Sequence, residues 1–316
     1  MSTMAPSRHT KMHGATREGA PGPRRSGAAS EARVLRRSFK APLTLMLAVV
    51  AVIPVLYGLY LSLTDSSTGA FTGLSNYREL LGSGSVWHTV VVTVCLTAAS
   101  VILTLALGTW LAFAMARIQR GQHFVRALLL LPLASAPIAV MYSWKTMLNS
   151  SYGVVNYLLG GLGIEPVAWY GAETPALISI LVIDVWQWTA FAMVIVYGGL
   201  VSVPGEILEA AAVDGAGPFA RLRYILVPAI APYLLIALFF RAVDTLKIFD
   251  SIAVLTSGGP GEATTTMNWL AYRQMIQYLD FGKGTAAAIL LLLVGIAFSS
   301  LLVRSLKQAT REGAGA

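Results

Sequence analysis

Four charged side chains interrupt one apolar stretch of the sequence: Arg241, Asp244, Lys247 and Asp250, alternating in sign three residues apart. Residues at that spacing are neighbours on one helix face, so opposite charges stand beside each other. The chemistry open to such a ladder is ion pairing, recognition of a polar solute, or relay of an ion. A charge at the centre of a membrane helix costs about 2.5–3.5 kcal/mol to insert, and a good apolar residue returns roughly 0.3–0.6. The ladder therefore cancels much of the insertion energy of its own helix, which must lie inside a bundle or beside a wet cavity. Two readings stand together: pairs Arg241–Asp244 and Lys247–Asp250 that fix the bundle, or a polar path for a substrate.

Other chemistries lack their residues. A nucleotide phosphate loop has the form G-x-x-x-x-G-K-[ST]; the nearest string is Phe281-Gly282-Lys283-Gly284-Thr285, with Gln277 in place of the first glycine and Gly284 in place of the hydroxyl residue. No Ser/His/Asp set, metal-ligand helix or pair of catalytic carboxylates stands out, so neither enzyme activity nor a metal is expected. His9 and His13 are four apart but lie in a tail rich in Gly, Ala, Pro and Arg. The lone cysteine, Cys95, sits in an apolar run and reads as a packing residue.

The elements that must hold the ladder follow from composition. The 316 residues are 56% hydrophobic and 12% charged, whereas a soluble domain is about 25% charged. Such a chain cannot cover a soluble surface and belongs in a bilayer. The net charge of +8 does not indicate nucleic acid, because nine of the 23 Lys and Arg precede residue 41. Crossing the hydrocarbon takes about 20 mainly apolar residues in a helix. Segments 41–63, 88–115, 124–147, 175–201, 229–255 and 284–304 qualify, giving an all-α integral membrane protein with six transmembrane helices. With the N-terminus inside, seventeen Lys and Arg flank the inner ends and four the outer, so both termini and the loop 202–228 are expected on the cytoplasmic side.

Residues 1–40 read as a disordered basic cytoplasmic tail, 41–306 as the transmembrane domain and 307–316 as a cytoplasmic C-terminal tail. Arg36-Arg37-Ser38-Phe39-Lys40 has the look of a twin-arginine signal, but it reads better as the basic flank of the first helix. Trp87, Trp144, Trp169 and Tyr170 fall near outer boundaries as interfacial anchors. The outer loops 64–87, 148–174 and 256–283 leave short helices and lids equally open.

The loop between helices 4 and 5 is the second polar anomaly. Pro204 suits a first helical turn with Ser202 as its cap, and Glu206 and Glu209 suit the positive helix N-terminus. Ile207, Ala210, Ala211 and Asp214 share a face. Gly215 can supply a left-handed stop, and Pro218 can start a second helix running to Val227 and ending at Pro228. Small side chains on the first arm let another backbone approach, which makes the loop a docking element or a plain surface hairpin.

The run Pro204, Ile207, Glu209-Ala210-Ala211, Asp214-Gly215-Ala216, Ile225 and Pro228 resembles the EAA loop of ATP-binding-cassette (ABC) importer permeases, with Val227 where that family more often has leucine. Phe240-Arg241, Asp244 to Asp250, Leu255-Thr256, Gly258-Gly259-Pro260-Gly261 and Thr264 resemble the carbohydrate subgroup, which imports oligosaccharides, polyols and glycerol phosphates. With the helix spacing, the resemblance spans about residues 40–306. It implies a multi-pass permease subunit of a bacterial inner membrane, with a coupling helix seated in a cytoplasmic ATPase through Glu209, Ala210, Ala211, Asp214 and Gly215. It also implies a second permease in a heterodimer, an ATPase dimer that binds ATP and Mg in place of this chain, an extracytoplasmic solute-binding protein, and lipid around the whole.

Ungapped alignment with maltose-type permeases puts sugar-lining positions on Gln187, Trp188, Phe191, Arg241, Thr245 and Ile248, with Asp184 and Asp244 as further carboxylates of the path. An aromatic plane with amide, hydroxyl and guanidinium donors suits a polyhydroxylated solute. Two alternatives stay open: a permease of the same build for an amino acid, peptide or phosphate ester, and a carrier using the charge ladder as an ion relay.

Overall fold

Backbone amides in hydrocarbon must find partners within their own segment, which leaves the helix as the solution for an open chain. A computed structural model describes the backbone of residues 25–118 and 120–313, and the side chains of 42, 44–118, 120–301, 303 and 304. The described chain is helical apart from turns and one isolated bridge, Thr64 with Phe71. In order, the helices are α1 (Arg25–Ser62), α2 (Ser75–Gly82), α3 (Gly84–Arg117), α4 (Gln122–Ala134), α5 (Pro137–Met147), α6 (Val154–Gly161), α7 (Glu173–Val201), α8 (Gly205–Val213), α9 (Pro218–Arg221), α10 (Val227–Leu246), α11 (Met267–Tyr272) and α12 (Phe281–Gly313). The short helices α2, α6 and α11 occupy the three loops 64–87, 148–174 and 256–283.

Five segments are long and apolar enough to span: Thr44–Ser62, Gly84–Arg117, Glu173–Val201, Pro218–Leu246 and Phe281–Leu301. The expected straight crossing over 124–147 is instead the pair α4 and α5, bent by 92°. Pro137 explains the break: it cannot donate to a preceding turn, and it drives Ala136 into extended backbone (ψ 123°). The expected fifth span, 229–255, is shifted to Pro218–Leu246.

Residues 25–40 are helical, since Ala, Glu, Arg and Leu there are good helix formers that extend an existing helix without a new nucleus. Likewise α12 runs through Gly313. His9 and His13 lie outside the described residues.

The chain divides into units 1–55 and 56–316, and the core described here belongs to the second. Helix α3 buries Val86, Thr89, Val92, Leu96, Ser100, Thr104, Gly108, Ala112 and Met115, a stripe of three- and four-residue steps that faces α7. Where the two cross, a Cβ on Gly108 would sit 2.5 Å from the Ala192 Cβ and 2.9 Å from the Met193 nitrogen. Only glycine allows that approach, which is how membrane helices gain packing without a hydrophobic drive between them. Cys95 falls off the stripe and is exposed rather than packed. Of the four expected interfacial aromatics only Trp87 is exposed. Trp144, Trp169 and Tyr170 pack against a core of Leu96, Met141, Ile180, Ile252 and Trp269.

Candidate functional site

Three helices meet at one guanidinium. Arg241 on α10 has no exposed side-chain surface and forms an ion pair with Asp184 on α7. Its Nη1 donates to Asp244 Oδ2 at 2.9 Å and its Nη2 to Ser100 Oγ on α3 at 2.8 Å. Ser100 in turn donates to Asp184. The guanidinium also lies over the Trp188 ring, 5.1 Å from its centroid. A buried charge is tolerated when paired and hydrogen-bonded, and this one has two carboxylates, a hydroxyl and an aromatic face.

The ladder itself is only half a ladder. Arg241 pairs with Asp244 as its spacing predicts, but Lys247 and Asp250 form no ion pair among the described residues. Helix α10 ends at Leu246, so Lys247 caps it and Ile248 and Phe249 are non-helical. The three-residue rule no longer applies beyond that point. Instead, the stretch 247–251 folds over a cavity of about 200 Å³ between α5, α7 and α10.

Six of the eight expected path residues line this cavity: Asp184, Gln187, Trp188, Asp244, Thr245 and Ile248. Arg241 stands behind the wall rather than in it, because its charge is drawn to Asp184. Phe191 packs edge-on between Trp188 (5.9 Å) and Phe240 (6.2 Å), away from the cavity. The Thr245 hydroxyl donates to the Arg241 carbonyl at 2.8 Å.

Sequence reasoning missed Ser100 and Ser251. For Ser100 a signal existed: Thr89, Thr93, Thr97, Ser100 and Thr104 form a hydroxyl stripe at helical spacing on α3. Ser251 and the α5 residues Pro137 and Met141 reach the cavity through non-helical bends, which periodicity does not report. The broken pair α4–α5 thus brings the N-terminus of α5 to the cavity wall, an arrangement met where membrane helices surround a solute.

The residues of the loop 202–228 form a separate element. Helix α8 has no buried residue, and Ile207, Val213 and Phe219 stand exposed around it. Glu209, Ala210 and Asp214 are exposed and Ala211 is half-buried. Gly215 adopts φ +80°. Around it Ala216 N–H donates to Ala211 O (2.9 Å) and Gly215 N–H to Ala212 O (3.2 Å), the paired bonds of a Schellman stop.

Two details differ from expectation. Pro204 is the cap itself, while the Ser202 hydroxyl donates back to Gly199 O at 2.7 Å and closes α7. The second arm does not end at Pro228. It runs from α9 through a π-helical stretch, Leu222–Leu226, directly into α10. The wider π turn accommodates a proline that cannot donate to the preceding turn.

In the loop 256–283, Glu262 pairs with Arg273 at 2.9 Å and accepts a hydrogen bond from Ser85. The Ser85 bond, then that of Arg273, holds its carboxyl below the ordinary glutamate value. Asp65 accepts from the hydroxyls and N–H groups of Ser67 and Thr68, which lowers it to about 2.

Known proteins share this sequence and fold. The family described as binding-protein-dependent transport system inner membrane component matches residues 104–312. The trehalose/maltose transport system permease protein of Thermococcus litoralis is 35% identical over 83% of this chain and 90% of its own. The trehalose transport system permease protein of Mycobacterium tuberculosis is 32% identical over 84% of this chain and 87% of its own. Among solved structures, a bacterial ABC transporter that imports the acidic polysaccharide alginate superposes with a TM-score of 0.78 at 19% identity. It covers 89% of this chain and 99% of that one, a likeness of fold.

Proposed function

Because the chain belongs to the family of binding-protein-dependent transport system inner membrane components, we propose that it is a permease subunit of an ATP-driven carbohydrate importer. It is a multi-pass inner-membrane transport subunit rather than an enzyme. The observation that carries the carbohydrate assignment is its similarity, along most of both chains, to permeases of trehalose and maltose systems. Membership in a binding-protein-dependent family also answers the ion-relay alternative: such a system draws on a solute-binding protein, and a carrier needs none.

In this reading the subunit pairs with a second permease, and the two sit on a cytoplasmic ATPase dimer that binds ATP and Mg. The exposed helix α8 is the coupling element, with Glu209, Ala210, Ala211, Asp214 and Gly215 at the contact and both termini on the same, cytoplasmic side. A mechanical link must be stiff. Support comes from the Schellman stop at Gly215 and from the continuous path of α9, the π stretch and α10. That path joins the loop to the span bearing Arg241, Asp244 and Thr245, so a push on α8 reaches the cavity wall through one rod. Alternating access follows as a tilt of this rod against α3 and α7.

The test is transport by the assembled importer in proteoliposomes. Gly215→Pro forbids φ +80°, and Glu209→Lys reverses charge at the contact. Each is expected to lower ATP-dependent uptake at least about tenfold with normal subunit levels, the size of effect typical of coupling energies. Uptake at the wild-type rate in both variants would remove α8 as the coupling element.

A further inference from the structure

We propose that the cavity between α5, α7 and α10 selects neutral polyhydroxylated solutes and rejects anionic ones, such as phosphate esters and uronates. The inference rests on the carbohydrate-permease reading and adds to it a choice of substrate charge. Fold alone does not make that choice, since the same architecture serves an importer of an acidic polysaccharide.

An anion needs a cation whose charge is not already balanced. Arg241 is the one Lys or Arg among the buried described residues, and both its terminal nitrogens are committed, Nη1 to Asp244 and Nη2 to Asp184 and Ser100. Its Nε has no partner but is itself enclosed, and Arg241 is absent from the cavity lining. The lining contributes Asp184, Asp244 and Asp250 against Lys247. Lys247 has no ion-pair partner among the described residues, but with Arg241 behind the wall the balance is still three negative charges against two positive. A phosphate entering here adds like charge to an acidic wall.

Beyond Lys247 and Asp250, the groups left free are uncharged. Gln187 is 4% exposed, lines the cavity and makes no side-chain hydrogen bond among the described residues. Ser251 is 3% exposed and lines it too, with its hydroxyl unpartnered. A buried polar group without a partner is costly unless a ligand satisfies it. An amide and a hydroxyl each donate and accept. A sugar hydroxyl answers both functions at once, whereas an ionised phosphate oxygen only accepts and leaves the Gln187 carbonyl unmet.

The experiment uses the purified importer, with its second permease and ATPase, in detergent without ATP. Binding is read by saturation-transfer NMR for trehalose, maltose and glycerol and for trehalose 6-phosphate, maltose 6-phosphate and glycerol 3-phosphate. The expected result is that a neutral compound binds at least about tenfold more tightly than its own ester at low salt, with the gap narrowing at high salt as charge is screened. Asp250→Asn, at a side chain with no partner among the described residues, should narrow the gap about threefold or more. An ester that binds as well as its neutral parent, or a gap unmoved by both Asp250→Asn and Asp244→Asn, overturns the inference alone. Binding of none of the six compounds overturns the carbohydrate reading together with it.

Discussion

Arg241 carries its charge with no exposed side-chain surface, and a dry bundle tolerates that only if counter-charges are already in place. Asp184 and Asp244 supply them from two helices, and Ser100 fills a further site on the same guanidinium. Removing one member leaves an unbalanced charge, which costs about 3–5 kcal/mol when the pair is buried, whereas replacing both partners by apolar residues is often close to neutral. Arg241→Met is therefore expected to lower the thermal midpoint of the detergent-solubilised importer sharply. The double variant Arg241→Met with Asp184→Leu should recover much of the loss. If the two single effects simply added in the double variant, Arg241 and Asp184 would not be acting as a pair. Arg241 was legible in the sequence as an expensive charge. Its partner on α7 was not, because spacing ranks neighbours on one helix and is silent about facing helices.

Among the elements, α3 and α7 form the crossing on which the site depends, since they bring Ser100 and Asp184 to Arg241. Their approach is limited by Gly108, where an added methyl would meet backbone of α7 at 2.9 Å. Overpacking a close contact costs about 1–3 kcal/mol. Gly108→Ala should accordingly reduce the thermal midpoint and weaken transport, since Ser100 and Asp184 would part. Gly198→Ala is the control, for nothing lies within 4 Å of a Cβ there, and helix propensity alone should make it neutral or slightly favourable. Equal midpoints for the two variants would show that the crossing has slack. At this scale the sequence indicated which segments are helices, but it missed the break at Pro137 and the true ends of the fifth span. Both errors share a cause: hydropathy reads apolar length, and it passes smoothly over a bend whose flanks are equally apolar.

For the molecule as a whole, one end is tied together by Glu262, which joins the loop after the cavity to Ser85 at the start of α3 and to Arg273. Its carboxyl is held below the ordinary value, first by the Ser85 bond. The sign follows: the folded state prefers the ionised form, so the tie contributes fully above the unfolded-state value and is lost as pH falls through the lower folded value. Acidification is expected to loosen this loop and lower the thermal midpoint, and Glu262→Gln should flatten that part of the pH profile. An unchanged acid slope in Glu262→Gln would assign the acid sensitivity to other groups.

By itself the sequence determined that this chain lives in a bilayer, that its spans are helical, and that two polar anomalies interrupt them, because transfer energy and hydrogen-bond satisfaction act along the chain and are written in composition and period. It also marked Gly215 as a helix stop, since only local backbone geometry is at stake there. Tertiary structure alone decided what those anomalies face. It paired Arg241 with Asp184 across two helices and separated Lys247 from Asp250 by ending α10. It brought Gln187 and Ser251 to one cavity and carried the loop 202–228 into the fifth span. Each of these depends on distances between segments far apart in the chain, and one-dimensional spacing contains no such distance.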